Sequence, residues 1–384
     1  MSAIDSFGTV SAYRAKDGGL LDLCHPERMS DDEMVEGDPM STDRSRRRAR
    51  RSPTPGRATI YSVAELAGVS IATVSRVLSG TTVTSPEATE KVLRAAHELA
   101  YVPQNSAKSL ASARYQTHAV VIGSLDGPYY SELLMGYEEV AARYDQELLL
   151  VVADRPRRSR TLADLRARVD GVMIAQMDIP EEEVAALARL IPVVLVGRSE
   201  IAGCDDVVSE SIGTATALTR HLIDIHGRRR LVFVGDPAQS SDVAARHAGF
   251  QRALADSSLV PVAEPLRVPY TERGGEAATE LVLALPTRPD ALVCANDEVA
   301  LALGRALRRR SIIPGVDLSL TGWDDVTAAR YVTPGLTTAR QPVREMGGRA
   351  AELLHRRVRG PHGPVGQHVL PTEVVIRQSC GCTD

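Results

Sequence analysis

No run of 18 apolar residues occurs in the 384-residue chain, which excludes a simple membrane-spanning helix. The first residues also lack the apolar centre of an export signal and are studded with acids instead. Cysteine is sparse: Cys24, Cys204, Cys294, Cys380 and Cys382 are odd in number and scattered. That excludes a disulfide framework and reads as reduced thiols of a cytoplasmic protein. Cys380 and Cys382 have the spacing of a metal pair, but no second pair lies beside them in sequence, so no metal is expected. A Gly-rich phosphate loop and a nucleophile elbow are missing, and His221 and His226, five apart, fall off a common helix face. Neither an enzyme nor a cofactor is expected. Nor is there a surplus of one charge: the formal net charge of -4 excludes coating of nucleic acid by bulk charge, while a local basic patch stays open.

What is present is ordinary globular material, 43% hydrophobic and 24% charged, enough for a small module and a two-lobed body. Residues 1–57 stand apart, with ten acidic residues before Arg44 and then six arginines between Arg44 and Arg51. This segment reads as disordered. Its arginine run is either a solvated tail or an accessory phosphate-binding arm, and Met29, Met34 and Met40 serve equally well as starts.

The period is helical over residues 58–102 and changes at His118. From there short β-branched runs alternate with amphipathic helices: Ala119-Val-Val-Ile-Gly123, 148–152, Val172-Met-Ile174, Val193-Val-Leu-Val196, Leu231-Val-Phe-Val234, Ala291-Leu-Val-Cys294 and Leu318-Ser-Leu320. Such runs predict parallel strands buried on both faces, and the length suits two doubly wound lobes.

In the first module Ile60, Val63, Ala64 and Ala67 recur at helical spacing, Gly68 supplies a turn, and Ser70 caps a second helix carrying Val74 and Val77. A third helix starts at Ser85-Pro86-Glu87, with Ala88, Val92, Ala95, Ala96 and Leu99 as its apolar face. That is a helix-turn-helix pattern. The outer face of the second helix offers Ile71, Ala72, Thr73, Ser75 and Arg76, short or fork-shaped side chains suited to a major groove. Arg76 fits bidentate pairing with guanine, while Tyr61, Thr73 and Ser75 suit phosphates.

The run Tyr61-Ser-Val-Ala-Glu-Leu-Ala-Gly-Val-Ser70 followed by Thr73-Val-Ser-Arg-Val-Leu78 resembles the signature of the LacI/GalR transcription regulators. Tyr101-Val-Pro103 and Ala107-Lys-Ser-Leu110 resemble that family's hinge. The resemblance implies DNA-binding residues Tyr61, Ser70, Ile71, Ala72, Thr73, Ser75, Arg76, Gln104, Asn105, Ala107 and Leu110. It implies further that Leu110 wedges into the minor groove at the operator centre. Ser79 stands where the family has Asn, and Ala88-Thr89 where it has Thr-Arg. The apolar pair Ile71 and Ala72 favours thymine methyl groups.

The resemblance runs on through Gly127-Pro-Tyr-Tyr130, Val169-Asp-Gly171, Arg246-His-Ala-Gly-Phe250, Asn296-Asp297, Gly322-Trp-Asp-Asp325, Leu336-Thr-Thr338 and Gln341-Pro342. It implies a periplasmic-binding-protein-like α/β body over residues 116–380, joined by a hinge at 103–115 to the all-α reading head at 58–102, with 381–384 as a tail. Ligands of such folds sit between lobes at the carboxyl ends of parallel strands. Tyr129, Tyr130, Arg246, Asn296, Trp323 and Asp324 are the expected effector-binding residues. Tyr129 and Tyr130 are alternatively core, and Asn296-Asp297 alternatively caps the next helix, with Asp297 as the cap. Ser209-Glu210 replaces the family's Asp-Asn pair near the cleft hinge. Carboxylate, amide and guanidinium around an aromatic face suit a sugar or related polyol, and a nucleoside less well. The implied protein is a dimeric, nucleoid-associated repressor of double-stranded operator DNA. A transporter's solute-binding protein would explain the body but not residues 70–110.

Overall fold

The computed structural model describes residues 58–79, 84–101, 114–125, 127–153, 162, 164–175, 179–198, 200–360 and 363–383. Residues 1–57 and the hinge positions Gln104, Asn105, Ala107 and Leu110 lie outside the described residues.

The reading head forms as its local signals dictate. Helix α1 (Ile60–Ala67) is capped by Thr59, whose hydroxyl accepts from the Ser62 N–H, and it ends at Gly68 in the left-handed region at φ 65°. A side chain at Gly68 would strain that turn, so glycine ends the helix at little cost. Helix α2 (Ile71–Ser79) begins with the Thr73 N–H donating to Ser70 Oγ at 3.2 Å. Helix α3 (Pro86–Glu98) is capped by Ser85 with Pro86 in its first turn. Val63, Ala64, Ala67, Val74, Val92, Ala95 and Ala96 close one small core between the three helices. Helices α1 and α2 are bent by 105°, within the range of a helix-turn-helix. No single helix among the described residues is long and apolar enough to cross a membrane.

The body has two lobes. The N-lobe is a parallel six-stranded sheet in the order β10-β5-β4-β3-β1-β2. Its strands are β1 (Thr117–Ile122), β2 (Glu147–Val152), β3 (Gly171–Ala175), β4 (Val193–Val196), β5 (Asp205–Ser209) and β10 (Gln367–Leu370). Helices α4 (Pro128–Arg143), α5 (Glu181–Ala188) and α11 (Val343–Arg359) accompany it. A Cβ at Gly136 would stand 1.8 Å from the Arg344 carbonyl oxygen, so only glycine lets α4 and α11 approach this closely. The chain enters β1 on a carboxylate: Asp170 accepts from the Tyr115 and Gln116 N–H groups, each at 2.7 Å.

The C-lobe has three parallel strands in the order β6 (Leu231–Val234), β7 (Ala291–Cys294) and β8 (Ser319–Thr321). Its helices are α6 (Ile212–Asp224), α7 (Ser241–Asp256), α8 (Glu272–Ala284), α9 (Asp297–Arg309) and the short α10 (Thr327–Tyr331). The chain passes between lobes three times, near residues 209–212, 340–343 and 370–373. A small antiparallel pair, β9 (Thr338–Arg340) with β11 (Glu373–Val375), lies at two of these crossings.

Strands β5, β9, β10 and β11 were not among the runs expected from apolar pattern. β5 opens on Asp205 and Asp206, both buried, which hides it from a hydrophobic reading. Arg357 answers Asp205 with Nε at 2.6 Å and Nη2 at 2.9 Å, and the Gly366 N–H donates at 3.0 Å. Burial alone would raise the Asp205 carboxyl; Arg357 and Gly366 outweigh it and hold it below its ordinary value. Removing one partner of such a buried pair costs about 3–5 kcal/mol, so this ion pair locks β10 and α11 onto β5.

The expectation that His221 and His226 stay apart, with no metal-ligand set, is corrected. Helix α6 ends at Asp224, and Gly227 at φ 62° follows the histidine. His226 therefore lies beyond the helix, outside the helical spacing rule, and its Nε2 comes within 3.2 Å of His221 Nε2. Cys380 and Cys382 arrive beside them from the tail.

Candidate DNA-reading face and effector cleft

On the reading head Ser70, Ile71, Ala72, Ser75 and Arg76 are exposed, Thr73 is half-buried, and Tyr61 is 69% exposed. The three-helix core takes up Val63, Val74 and Val92, which leaves these residues on the outer side of α2 and the start of α1. Arg76 Nε donates to the Ala72 carbonyl at 3.2 Å, which lays its stem along α2. Ser70 Oγ and Thr73 Oγ1 lie 2.9 Å apart at the amino end of α2, where N–H groups and the helix dipole favour phosphate.

The cleft is built at the carboxyl ends of β1, β6, β7 and β8. Asp324 follows β8 with φ 120°, held in that uncommon conformation by its N–H donating to the Ala339 carbonyl at 2.8 Å. Its Oδ1 accepts from Gln341 Nε2 at 2.5 Å, and Gln341 Oε1 accepts from Ser209 Oγ at 2.5 Å. One polar chain thus joins the N-lobe strand β5, the second crossing and the C-lobe carboxylate. Burial pushes the Asp324 carboxyl up to about 7; Arg246 pulls it back, and the neighbouring Asp297 carboxylate adds to the rise.

Arg246, in the second turn of α7, is 7% exposed. Its Nη1 donates to the Ala295 carbonyl at 2.7 Å, Nη2 stands 3.9 Å from Asp242, and its guanidinium carbon lies 4.8 Å from the centre of the Trp323 ring. Trp323 is buried against Ala215 and Ala339. Arg246 Nε and Trp323 Nε1 are buried donors with no protein partner among the described residues. Leaving such a buried donor unpaired costs about 1–3 kcal/mol.

Tyr129 and Tyr130 stand in the first turn of α4 rather than in a loop, ring centroids 5.4 Å apart and edge-on, and both pack on the N-lobe core. Burial raises the Tyr129 phenol far above its ordinary value, with Asp242 and Asp324 adding to it, which sets Tyr129 among the cleft charges. Tyr130 reaches the Ala175 carbonyl at 3.5 Å.

Asn296 is the cap of α9: Oδ1 accepts from the Val299 N–H and Nδ2 donates to the Tyr270 carbonyl, both at 3.1 Å. Capping by Asp297 is therefore corrected. Asp297 is fully buried and accepts from Thr338 Oγ1 at 2.6 Å and the Val326 N–H at 2.9 Å. With its amide so committed, Asn296 contributes mainly position, and one N–H remains for a ligand.

Two cavities flank the crossings. One of about 1100 Å³ reaches Tyr129, Asp324 and Gln341; the other, about 490 Å³, reaches Arg198, Ser209, Glu210 and Asp242. Sequence reasoning missed Asp242 and Tyr270 as parts of this neighbourhood, and placed Ser209 near the cleft hinge without its link through Gln341 to Asp324. Asp242 was traceable as an acid four residues before Arg246 on one helix. Glu210 has a local duty: its carboxylate accepts from the Gly213 N–H at 2.6 Å and the Thr214 N–H at 3.1 Å, capping α6 at the first crossing.

Comparison with known proteins agrees with both halves. The family model for bacterial regulatory proteins of the lacI family matches residues 59–104, and that for a periplasmic binding protein-like domain matches residues 219–380. The transcriptional regulator DegA of Bacillus subtilis is 30% identical over 334 residues, 84% of this chain and 98% of the relative. The ribose operon repressor of Escherichia coli K12 is 30% identical over 311 residues, 79% of this chain and 94% of the relative. A crystal structure of the lac repressor dimer bound to operator and the anti-inducer ONPF superposes with a TM-score of 0.76 at 25% identity, covering 85% of this chain and 99% of that one. With a reading head on an exposed α2 and relatives matched over nearly their whole lengths, the chain belongs to the LacI family of bacterial regulatory proteins.

Proposed function

We propose that this chain is a cytoplasmic, nucleoid-associated repressor that binds a palindromic operator as a homodimer and responds to a small sugar-like effector. Residues 58–102 read the major groove through Ile71, Ala72 and Arg76, with Tyr61, Ser70, Thr73 and Ser75 on phosphates. Gln104, Asn105, Ala107 and Leu110 of the hinge follow the minor groove, Leu110 as the wedge. Residues 116–380 hold the effector between lobes.

The observation that carries the effector reading is the pairing of opposites around one buried ring. Arg246 and Trp323 carry unpartnered buried donors, and the half-buried Asp324 beside them lines the cavity with a carboxylate. A polyhydroxylated ligand satisfies donors and acceptors at once, and its apolar ring face covers an aromatic side chain. Sugar chemistry is also that of the relative named for the ribose operon. Because Asp324 bonds Gln341 and Gln341 bonds Ser209, a ligand that competes for the Asp324 carboxylate alters a contact between lobes. Coupling of the two functions needs such a differential contact.

Selection of bound DNA from a random pool by the purified full chain tests the DNA half. Two inverted half-sites, centred about one helical turn or slightly more apart, are expected. Enrichment of a single unpaired half-site, or of no sequence, contradicts the dimeric reading.

A further inference from the structure

We infer that His221, His226, Cys380 and Cys382 hold a structural zinc ion that ties the carboxyl-terminal tail to the C-lobe. The four donor atoms all lie within 4.8 Å of one another. His221 Nε2 is 3.2 Å from His226 Nε2 and 3.4 Å from Cys380 Sγ. Cys382 Sγ is 3.6 Å from His221 Nε2 and 3.4 Å from His226 Nε2. Around tetrahedral zinc, bond lengths of about 2.0–2.1 Å to nitrogen and about 2.3 Å to sulfur give edges of roughly 3.4 Å between nitrogens and roughly 3.6 Å between nitrogen and sulfur. Four of the cluster's six edges, one between nitrogens and three between nitrogen and sulfur, already lie near those lengths.

Ordinary packing does not account for two imidazole nitrogens and two sulfurs turned to one point, contributed by segments 159 residues apart. The local structure is arranged for it. His221 is in the last turn of α6, and the chain brings His226 back beside it. Gly381, at φ 114°, turns the tail so that both flanking cysteines face inward; a Cβ there would come 3.1 Å from His226 Nδ1.

Loading is a balanced exchange. Each thiol releases its proton to solvent and binds as thiolate, including Cys380, which as a thiol donates to the Arg377 carbonyl at 3.1 Å. Both histidines bind through the Nε2 lone pair with their protons on Nδ1. The ion's two positive charges meet two thiolates, so the loaded site is neutral, which suits fully buried Cys380. Two nitrogens and two sulfurs in a tetrahedron select zinc, and four protein ligands leave no open position, the mark of a structural site. The ion would join the end of α6, which enters from the first crossing, to the tail that follows the third.

Metal analysis of the full chain, purified in reducing buffer without chelator from zinc-replete growth, is the test. One zinc per chain is expected, falling to none in the Cys380→Ser/Cys382→Ser double variant. Replacing zinc with cobalt in the unmutated chain should give thiolate-to-metal charge-transfer absorption and the strong visible bands of tetrahedral cobalt, a readout independent of how the variant folds. A chain without stoichiometric zinc, a Cys380–Cys382 disulfide under those conditions, or octahedral cobalt spectra overturns the assignment.

Discussion

Arg76→Ala is expected to flatten base preference at one position in each half-site by about 5- to 150-fold, the equivalent of 1–3 kcal/mol for a lost bidentate guanine contact. The reasoning is geometric. Arg76 lies on the exposed face of α2, with its Nε donating to the Ala72 carbonyl one turn back on the same helix. No core residue depends on it, since the core of the head is Val63, Val74, Val92 and their neighbours. Thermal stability should therefore stay within about 0.5 kcal/mol, as for other surface substitutions. Competition binding across single-base variants of the selected operator reads the effect. An Arg76→Ala protein with unchanged preference at every base removes Arg76 from base readout.

Arg246→Met is expected to weaken effector binding by about 10- to 150-fold, matching the 1.5–3 kcal/mol of a hydrogen bond to a charged group, while leaving operator affinity without effector close to that of the parent. Methionine keeps the packing volume beside Trp323 but removes the donors and the charge. The same change removes the cation that pulls the Asp324 carboxyl down, so Asp324 should bind its proton at still higher pH. In the parent, with Asp324 near 7, effector binding should strengthen as pH rises through neutrality and the carboxylate becomes an acceptor for ligand hydroxyls. Stability runs the other way. A carboxyl raised in the folded chain holds a proton that the unfolded chain has lost, so Asp324 costs stability progressively as pH rises from about 4 to about 7. Isothermal titration against pH with the two proteins measures both effects. Equal affinity in parent and Arg246→Met would move the effector away from this cleft.

The parts of the fold that were legible in the sequence are those whose cause is local. Gly68, Ser70, Ser85 and Pro86 act within one turn of their own position, and the apolar runs of β1, β3, β4, β6 and β7 need only a buried sheet to explain them. β5 was illegible because its charge is answered by Arg357, which the chain supplies 152 residues later. In the cleft, motif reading placed Arg246, Trp323 and Asp324 together, yet Asn296 turned out to be a helix cap that also bonds a carbonyl. The Ser209–Gln341–Asp324 chain and the histidine–cysteine cluster escaped for one reason: each assembles side chains from separate segments whose meeting depends on where helices and crossings end.

The central claim is that one chain couples operator reading to an effector cleft. The most direct test is the operator dissociation constant of the full chain, measured with and without each member of a panel of pentoses, hexoses and polyols at fixed salt. At least one sugar should shift it by about 5- to 150-fold, and operator DNA should shift that sugar's affinity by the same factor. An operator affinity left unmoved by a sugar that demonstrably occupies the Arg246–Asp324 cleft would contradict the account.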